Sequence, residues 1–147
     1  MIVYLDTSAY VKLIIDEDGA GQTRALFQQA RRAATSVVTY AEASAALSRR
    51  DREAGSPAKR LRSWTEALDQ SWSNTLAVPV LAKAAGSLAI AHGLRGMDAV
   101  QLTAAMTLRE RMSSGADEGR VLFAAFDRQL LEAAEREGFA TLGRPLE

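Results

Sequence analysis

Residues 1–10 read MIVYLDTSAY, a run of strand-forming side chains that stops at a carboxylate. Ile2, Val3, Tyr4 and Leu5 show no polar alternation, which is the pattern of a strand covered on both faces in a parallel sheet. Asp6 then stands at the C-terminal edge of that strand. Thr7 and Ser8 are helix N-cap candidates, and Val11, Ile14 and Ile15 continue at helical spacing, so the stretch predicts strand, tight turn, helix. Asp6 itself admits two readings. It can cap the following helix by accepting hydrogen bonds from free first-turn N–H groups. It can also face a ligand, because open α/β sheets place ligands beyond the C-terminal ends of their strands. The second reading requires further acids at equivalent places.

Working outward, DEDGAGQ breaks the chain, and Leu26, Phe27 and Ala30 mark a short amphipathic helix. ATSVVTY reads as the second strand, followed by an alanine-rich helix that carries Glu42 and ends at Gly55. Ser56 as N-cap and Pro57 at the first helical position open the next helix, whose stripe is Leu61, Trp64, Leu68 and Trp72. Both tryptophans read as core or as a partner-facing helix surface. TLAV is a weak third strand, and Pro79 opens a helix that HGLRG ends. A helix beginning at Asp98 follows, with Ala99, Leu102, Ala105 and Met106 on one face. Asp117 and Glu118 sit in a glycine-flanked, solvated loop. VLFAAFD is a fourth strand that again ends on a carboxylate, Asp127. RQLLEAAEREG is a helix closed by Gly138, and FATL is a last strand. About five strands separated by helices imply right-handed crossovers, a mostly parallel sheet and an α/β class. No repeat or linker divides the chain, so a single domain over residues 1–147 is expected.

Composition removes several function classes. The chain has no cysteine, which excludes disulfides, thiolate metal sites and thiol catalysis. His92, the one histidine, precedes Gly93 where a cation suits a helix C-terminus, and a histidine-based nucleophile system has no second candidate. Apolar runs fall short of the roughly 20 residues that span a bilayer, and no basic segment precedes an apolar one at the start, so a cytoplasmic protein without membrane contact is expected. Formal net charge is zero, so a nucleic-acid partner would have to be held by a local patch.

Asp6, Glu42, Asp98 and Asp127 stand at comparable places, near strand ends or helix starts. Each alone could be a cap or a surface charge. Gathered at one sheet edge they would form a strongly negative pocket of oxygen ligands that a cation must relieve. With no cysteine and only oxygen donors, Mg²⁺ or Mn²⁺ fits best, and such an ion suits water-mediated attack on a phosphodiester.

LDTSA, YAEASAAL, RGMDAVQLTAAM and FDRQLLEAAEREG arrive in the order and spacing of PIN-domain ribonucleases, and the chain resembles in particular the VapC-type toxins of toxin–antitoxin pairs. The resemblance covers essentially the whole chain. It implies strand order 3-2-1-4-5, Mg²⁺ or Mn²⁺ as cofactor, RNA as substrate, a VapB-like antitoxin as partner and a homodimer. It also implies that Asp6, Glu42, Asp98 and Asp127 are the catalytic and metal-binding acids, with Thr7 or Ser8 orienting a metal water. One departure is that Ala125 stands where such proteins usually carry Thr or Ser, two residues before the last aspartate, which makes Asp127 the least secure of the four.

Other classes fit less well. A haloacid-dehalogenase-type phosphatase would need a second acid where Ser8 stands, and DTSAY lacks the glycines of a dinucleotide or P-loop site. The alternative of another class is a PIN-like RNA- or protein-binding module with little or no nuclease activity, against which the four intact acids argue. For RNA contact, the local basic candidates are Arg49, Arg50 and Arg52, then Lys59, Arg60 and Arg62 on the next helix, and Arg95 just before Asp98.

Overall fold

The computed structural model describes residues 1–55, 59–113 and 120–143; of residue 59 only the backbone is described. The expected cap at Ser56 and Pro57 and the acids Asp117 and Glu118 lie outside the described residues. The order is β1 (Ile2–Leu5), α1 (Thr7–Val11), α2 (Ala20–Gln29), β2 (Arg32–Ser36), α3 (Thr39–Glu53), α4 (Lys59–Ser73), β3 (Thr75–Val78), α5 (Ala82–His92), α6 (Gly96–Met112), β4 (Val121–Ala124), α7 (Arg128–Arg136) and β5 (Ala140–Leu142). The strands form one sheet in the order β3-β2-β1-β4-β5, and every pairing is parallel.

β1 is the central strand, and its four residues are all buried. Its unbroken apolar run follows from helices lying on both faces of the sheet, with successive side chains pointing to opposite sides. Ile2 and Tyr4 enter the core shared with residues of α5, α6 and α7. Val3 and Leu5 enter the core shared with α1, α3 and α4. Tyr4 pairs in register with Phe123 of β4, and the two rings stack with centroids 5.5 Å apart. Trp72 packs edge-on against Tyr10 at 6.2 Å and Tyr40 at 5.3 Å, so it serves the core.

Several boundaries differ from the sequence reading, β4 for one ending at Ala124 rather than Asp127. β2 stops at Ser36 rather than running through Tyr40, because its partner β3 ends at Val78, opposite Ser36. Val37 makes one further bond to the Val78 carbonyl, and Val38 turns into helical geometry as the residue before α3. Pro79 follows β3 without opening a helix, and α5 starts at Ala82. α6 starts at Gly96, so Asp98 lies in its first turn. No helix among the described residues is long and apolar enough to cross a membrane.

Candidate active site

The β1 ladder runs one step past the strand. The Asp6 N–H donates to the Ala124 carbonyl at 3.0 Å, which holds Asp6 at the C-terminal edge of the sheet. Asp6, rather than Thr7 or Ser8, is the N-cap of α1. Its Oδ1 accepts from the Ala9 N–H at 2.9 Å and from the Ser8 hydroxyl at 2.7 Å. The side chain is only 4% exposed. Burial pushes its carboxyl up to about 7; the Ala9 and Ser8 bonds oppose the rise, and the charges of Asp98 and Asp127 add to it. Asp6 therefore caps a helix and also feels neighbouring acids, the arrangement that its reading as a ligand-facing residue requires.

Asp98 projects from the first turn of α6. Its carboxyl is raised chiefly by burial, then by the Asp127 charge and less by Glu42, while Arg95 opposes the rise. Asp127 lies beyond the end of β4 at Ala124 and is the N-cap of α7, with its Oδ1 accepting from the Leu130 N–H at 2.9 Å. Ala125, where the resemblance leads one to expect a hydroxyl, is fully buried in the core. Glu42 lies in the first turn of α3, where its charge also suits the helix dipole. Its Oε1 accepts from the Thr7 hydroxyl at 2.6 Å and from Gln101 Nε2 at 3.2 Å.

The hydroxyls of Thr7 and Ser8 are committed to protein groups. Thr7 donates to Glu42 and accepts from Gln101 Nε2 at 3.0 Å. Ser8 donates to Asp6 and accepts from the Phe126 N–H at 2.9 Å, which ties α1 to the segment leading to Asp127. Each oxygen keeps one lone pair for water.

Sequence reasoning missed Gln101. It is 2% exposed and lies three residues after Asp98 on α6. Its amide reaches Thr7, Glu42 and Thr39, and its Oε1 accepts from the Tyr4 hydroxyl at 2.6 Å. The available signal was a polar residue beside Leu102 on an otherwise apolar face, at helical spacing from an acid. Burial, with the Asp6 charge adding to it, holds the Tyr4 phenol well above its ordinary value, so its hydroxyl stays protonated.

The basic candidates divide. Arg50 pairs with Glu17 at 2.8 Å, Arg60 with Asp51 at 3.0 Å while lying over the Trp64 ring, and exposed Arg62 with Glu66 at 3.6 Å. Arg49, Arg52 and Arg95 are exposed and make none of the ion pairs among the described residues. Only the backbone of Lys59 is described. Arg49 and Arg52 stand toward the end of α3 opposite Glu42, roughly 10–15 Å along the helix axis. His92 is the last residue of α5, and its Nε2 lies 2.7 Å from Glu137 Oε1. A cavity of about 680 Å³ lies instead at the N-terminal edge of β1 and β4, lined by residues including Ile2, Arg109, Val121 and Phe139, and none of the four acids borders it.

As an ion site the acids fit by chemistry more than by closeness. Among the described residues, no group of three or more acidic or histidine side chains is gathered tightly enough to hold an ion outright. The donors are nonetheless all carboxylate oxygens, the charges of neighbouring acids raise the proton affinity of Asp6 and of Asp98, and none of the four joins the ion pairs among the described residues. That suits a hard cation bound through few carboxylates and several waters.

A five-stranded parallel sheet in this order, with acids at the C-terminal strand edge, defines an α/β protein with a candidate acidic site. The chain belongs to the PIN-domain family: a family model described as PIN domain matches residues 3–137. It is 34% identical over 140 residues to Ribonuclease VapC45 of Mycobacterium tuberculosis strain CDC 1551 / Oshkosh, a match spanning 93% of this chain and 92% of the relative. Ribonuclease VapC49 of Mycobacterium tuberculosis strain ATCC 25618 / H37Rv matches to the same extent, at 34% identity over 93% of this chain and 92% of the relative. The fold is similar to the crystal structure of PAE2754 from Pyrobaculum aerophilum, with TM-score 0.65 and 18% identity over 96% of this chain and 89% of that one. It is also similar to VapBC2 from Rickettsia felis bound to a DNA fragment from their promoter, with TM-score 0.61 and 17% identity over 97% of this chain and 98% of that one.

Proposed function

We propose that this chain is an endoribonuclease that hydrolyses RNA phosphodiester bonds with a divalent cation and acts as the toxin of a toxin–antitoxin pair. The observation that carries the reading is the placement of Asp6, buried at the C-terminal edge of the sheet and near enough to Asp98 and Asp127 to feel their charges. A cation relieves that repulsion and favours the ionised carboxylates. Two relatives named ribonuclease VapC support RNA as substrate, and the likeness to VapBC2 supports a VapB-like antitoxin as partner.

Mg²⁺ or Mn²⁺ fits the oxygen-only donors, with Asp6, Glu42 and Asp98 as direct ligands and Asp127 contributing from the edge through water. When bound, the cation activates water for in-line attack on phosphorus and stabilises the leaving oxygen. The Thr7 and Ser8 hydroxyls hold Glu42 and Asp6 in place and orient surrounding water through their remaining lone pairs. Arg95, whose charge acts on Asp98, contacts a phosphate near the site, and Arg49 and Arg52 contact phosphates farther along the RNA. The chain works as a homodimer; Ile90 on α5, 88% exposed, and Met97 on α6, 42% exposed, support an apolar face that a second copy covers.

An RNA cleavage assay on purified protein tests the reading. Cleavage is expected with Mn²⁺ and absent in EDTA, and both Asp6→Asn and Asp98→Asn should be folded and inactive. Undiminished cleavage by folded Asp6→Asn would overturn it.

A further inference from the structure

We propose that Gln101 is the positioning residue that aims Glu42 into the acidic site, and that the Tyr4 hydroxyl sets the direction of its amide. This rests on the reading of Asp6, Glu42 and Asp98 as cation ligands. Gln101 Nε2 lies 3.0 Å from the Thr7 hydroxyl, 3.0 Å from the Thr39 hydroxyl and 3.2 Å from Glu42 Oε1. Two amide hydrogens thus face three oxygens. The amide could be turned over only by bringing its own oxygen against the Glu42 carboxylate, acceptor against acceptor. With that orientation excluded, Oε1 points at Tyr4, whose hydroxyl must donate to it at 2.6 Å.

The result is a chain of directed bonds from Tyr4 of β1, through Gln101 of α6, to Thr7 of α1 and Glu42 of α3. It lies at the meeting of four elements, of which α3 carries Glu42, α6 carries Asp98, and β1 and α1 flank Asp6. Thr39 is anchored in turn, since its hydroxyl lies 2.8 Å from that of Thr35, which donates to the Leu5 carbonyl at 2.6 Å. Groups that hold metal ligands in this way commonly alter metal affinity by about 10- to 100-fold when removed.

The test is Mn²⁺ affinity, read from free Mn²⁺ by electron paramagnetic resonance, well below each variant's melting temperature. Gln101→Met keeps side-chain length and removes the amide, and should weaken Mn²⁺ binding about tenfold or more. Tyr4→Phe keeps the ring on Phe123 and removes only the hydroxyl, and should weaken it in the same direction by a smaller factor. If the two act through one chain of bonds, the double variant binds no more weakly than Gln101→Met alone. Affinity within twofold of wild type in both single variants, or losses that multiply in the double variant, overturns the proposal. Should Gln101→Met not fold, unchanged affinity in Tyr4→Phe overturns it and a loss supports it. Asp6→Asn separates the two levels. If wild type binds no Mn²⁺, or Asp6→Asn binds it as well as wild type, the reading of the acids fails and the role of Gln101 with it. If Asp6→Asn loses Mn²⁺ while Gln101→Met and Tyr4→Phe retain it, only the role of Gln101 fails.

Discussion

Replacing Asp6 by Asn keeps a side-chain oxygen to accept from the Ala9 N–H and removes the buried charge. In the folded, metal-free protein the carboxyl takes its proton near pH 7, whereas in the unfolded chain it does so near 4. The folded state therefore binds the proton more tightly, and Asp6 costs stability as pH rises from about 4 to about 7. Asp6→Asn should be more stable than wild type in EDTA at pH 8, on the order of a few kcal/mol. The advantage should fade as pH falls toward 4. Thermal melts at several pH values check this, and a variant equal to or below wild type at pH 8 would contradict it. On the proposed function the same substitution should abolish cleavage, so stability and chemistry would pull in opposite directions at this residue, as expected where a site gathers like charges.

At the scale of elements, α3 carries Glu42 in its first turn and basic residues in its last part, so the candidate site and the proposed phosphate contacts share one helix. Arg50 and Arg60 are held by Glu17 and Asp51, whereas Arg49 and Arg52 make none of the ion pairs among the described residues. Reversing Arg49 and Arg52 to Glu in an Asp6→Asn background should weaken RNA binding and flatten its salt dependence. Each lost phosphate contact should reduce the slope by nearly one unit, or somewhat less for single strands. Identical binding isotherms across a salt series, with and without the reversals, would move the RNA path elsewhere. Arg60→Glu is a poorer probe, because it also breaks the half-buried pair with Asp51 and loses packing on Trp64.

At the scale of the whole molecule, a central strand buried on both faces makes the two cores interdependent. Phe123 lies fully buried between Tyr4 and Phe139, with ring centroids at 5.5 and 5.8 Å. Truncating it to Ala should cost about 3–5 kcal/mol, measured by chemical denaturation. A loss below about 1 kcal/mol would mean that the cavity collapses. Ile90 of α5, 88% exposed, lies on the outside of this architecture. On the proposed homodimer, with Ile90 covered by the second copy, Ile90→Glu should leave the fold intact and give a sedimenting monomer, because a charge would be desolvated in that interface. A wild-type monomer at high concentration would count against the homodimer.

The amino-acid sequence by itself determined the α/β class, the buried first strand, the helix closures at Gly55, Gly93 and Gly138, and which acids stand near the joints between strand and helix. These are local matters: apolar runs without alternation, turn residues with positive φ, and carboxylates at the joints between strand and helix. The end of β2 was not local. Val37 and Val38 have the shape of strand residues, but a strand persists only while a neighbour pairs with it, and β3 stops at Val78. Which arginines are ion-paired was equally hidden, since Glu17 and Arg50 are far apart in the chain and meet only in the fold. Gln101 is the clearest case. Its bonds to Tyr4, Thr7, Thr39 and Glu42 span 97, 94, 62 and 59 positions of sequence, and no period or motif encodes a partner at such separations. Tertiary structure decided it, because a buried amide must find partners for its hydrogens and its oxygen, and only the packed elements determine which groups are within reach.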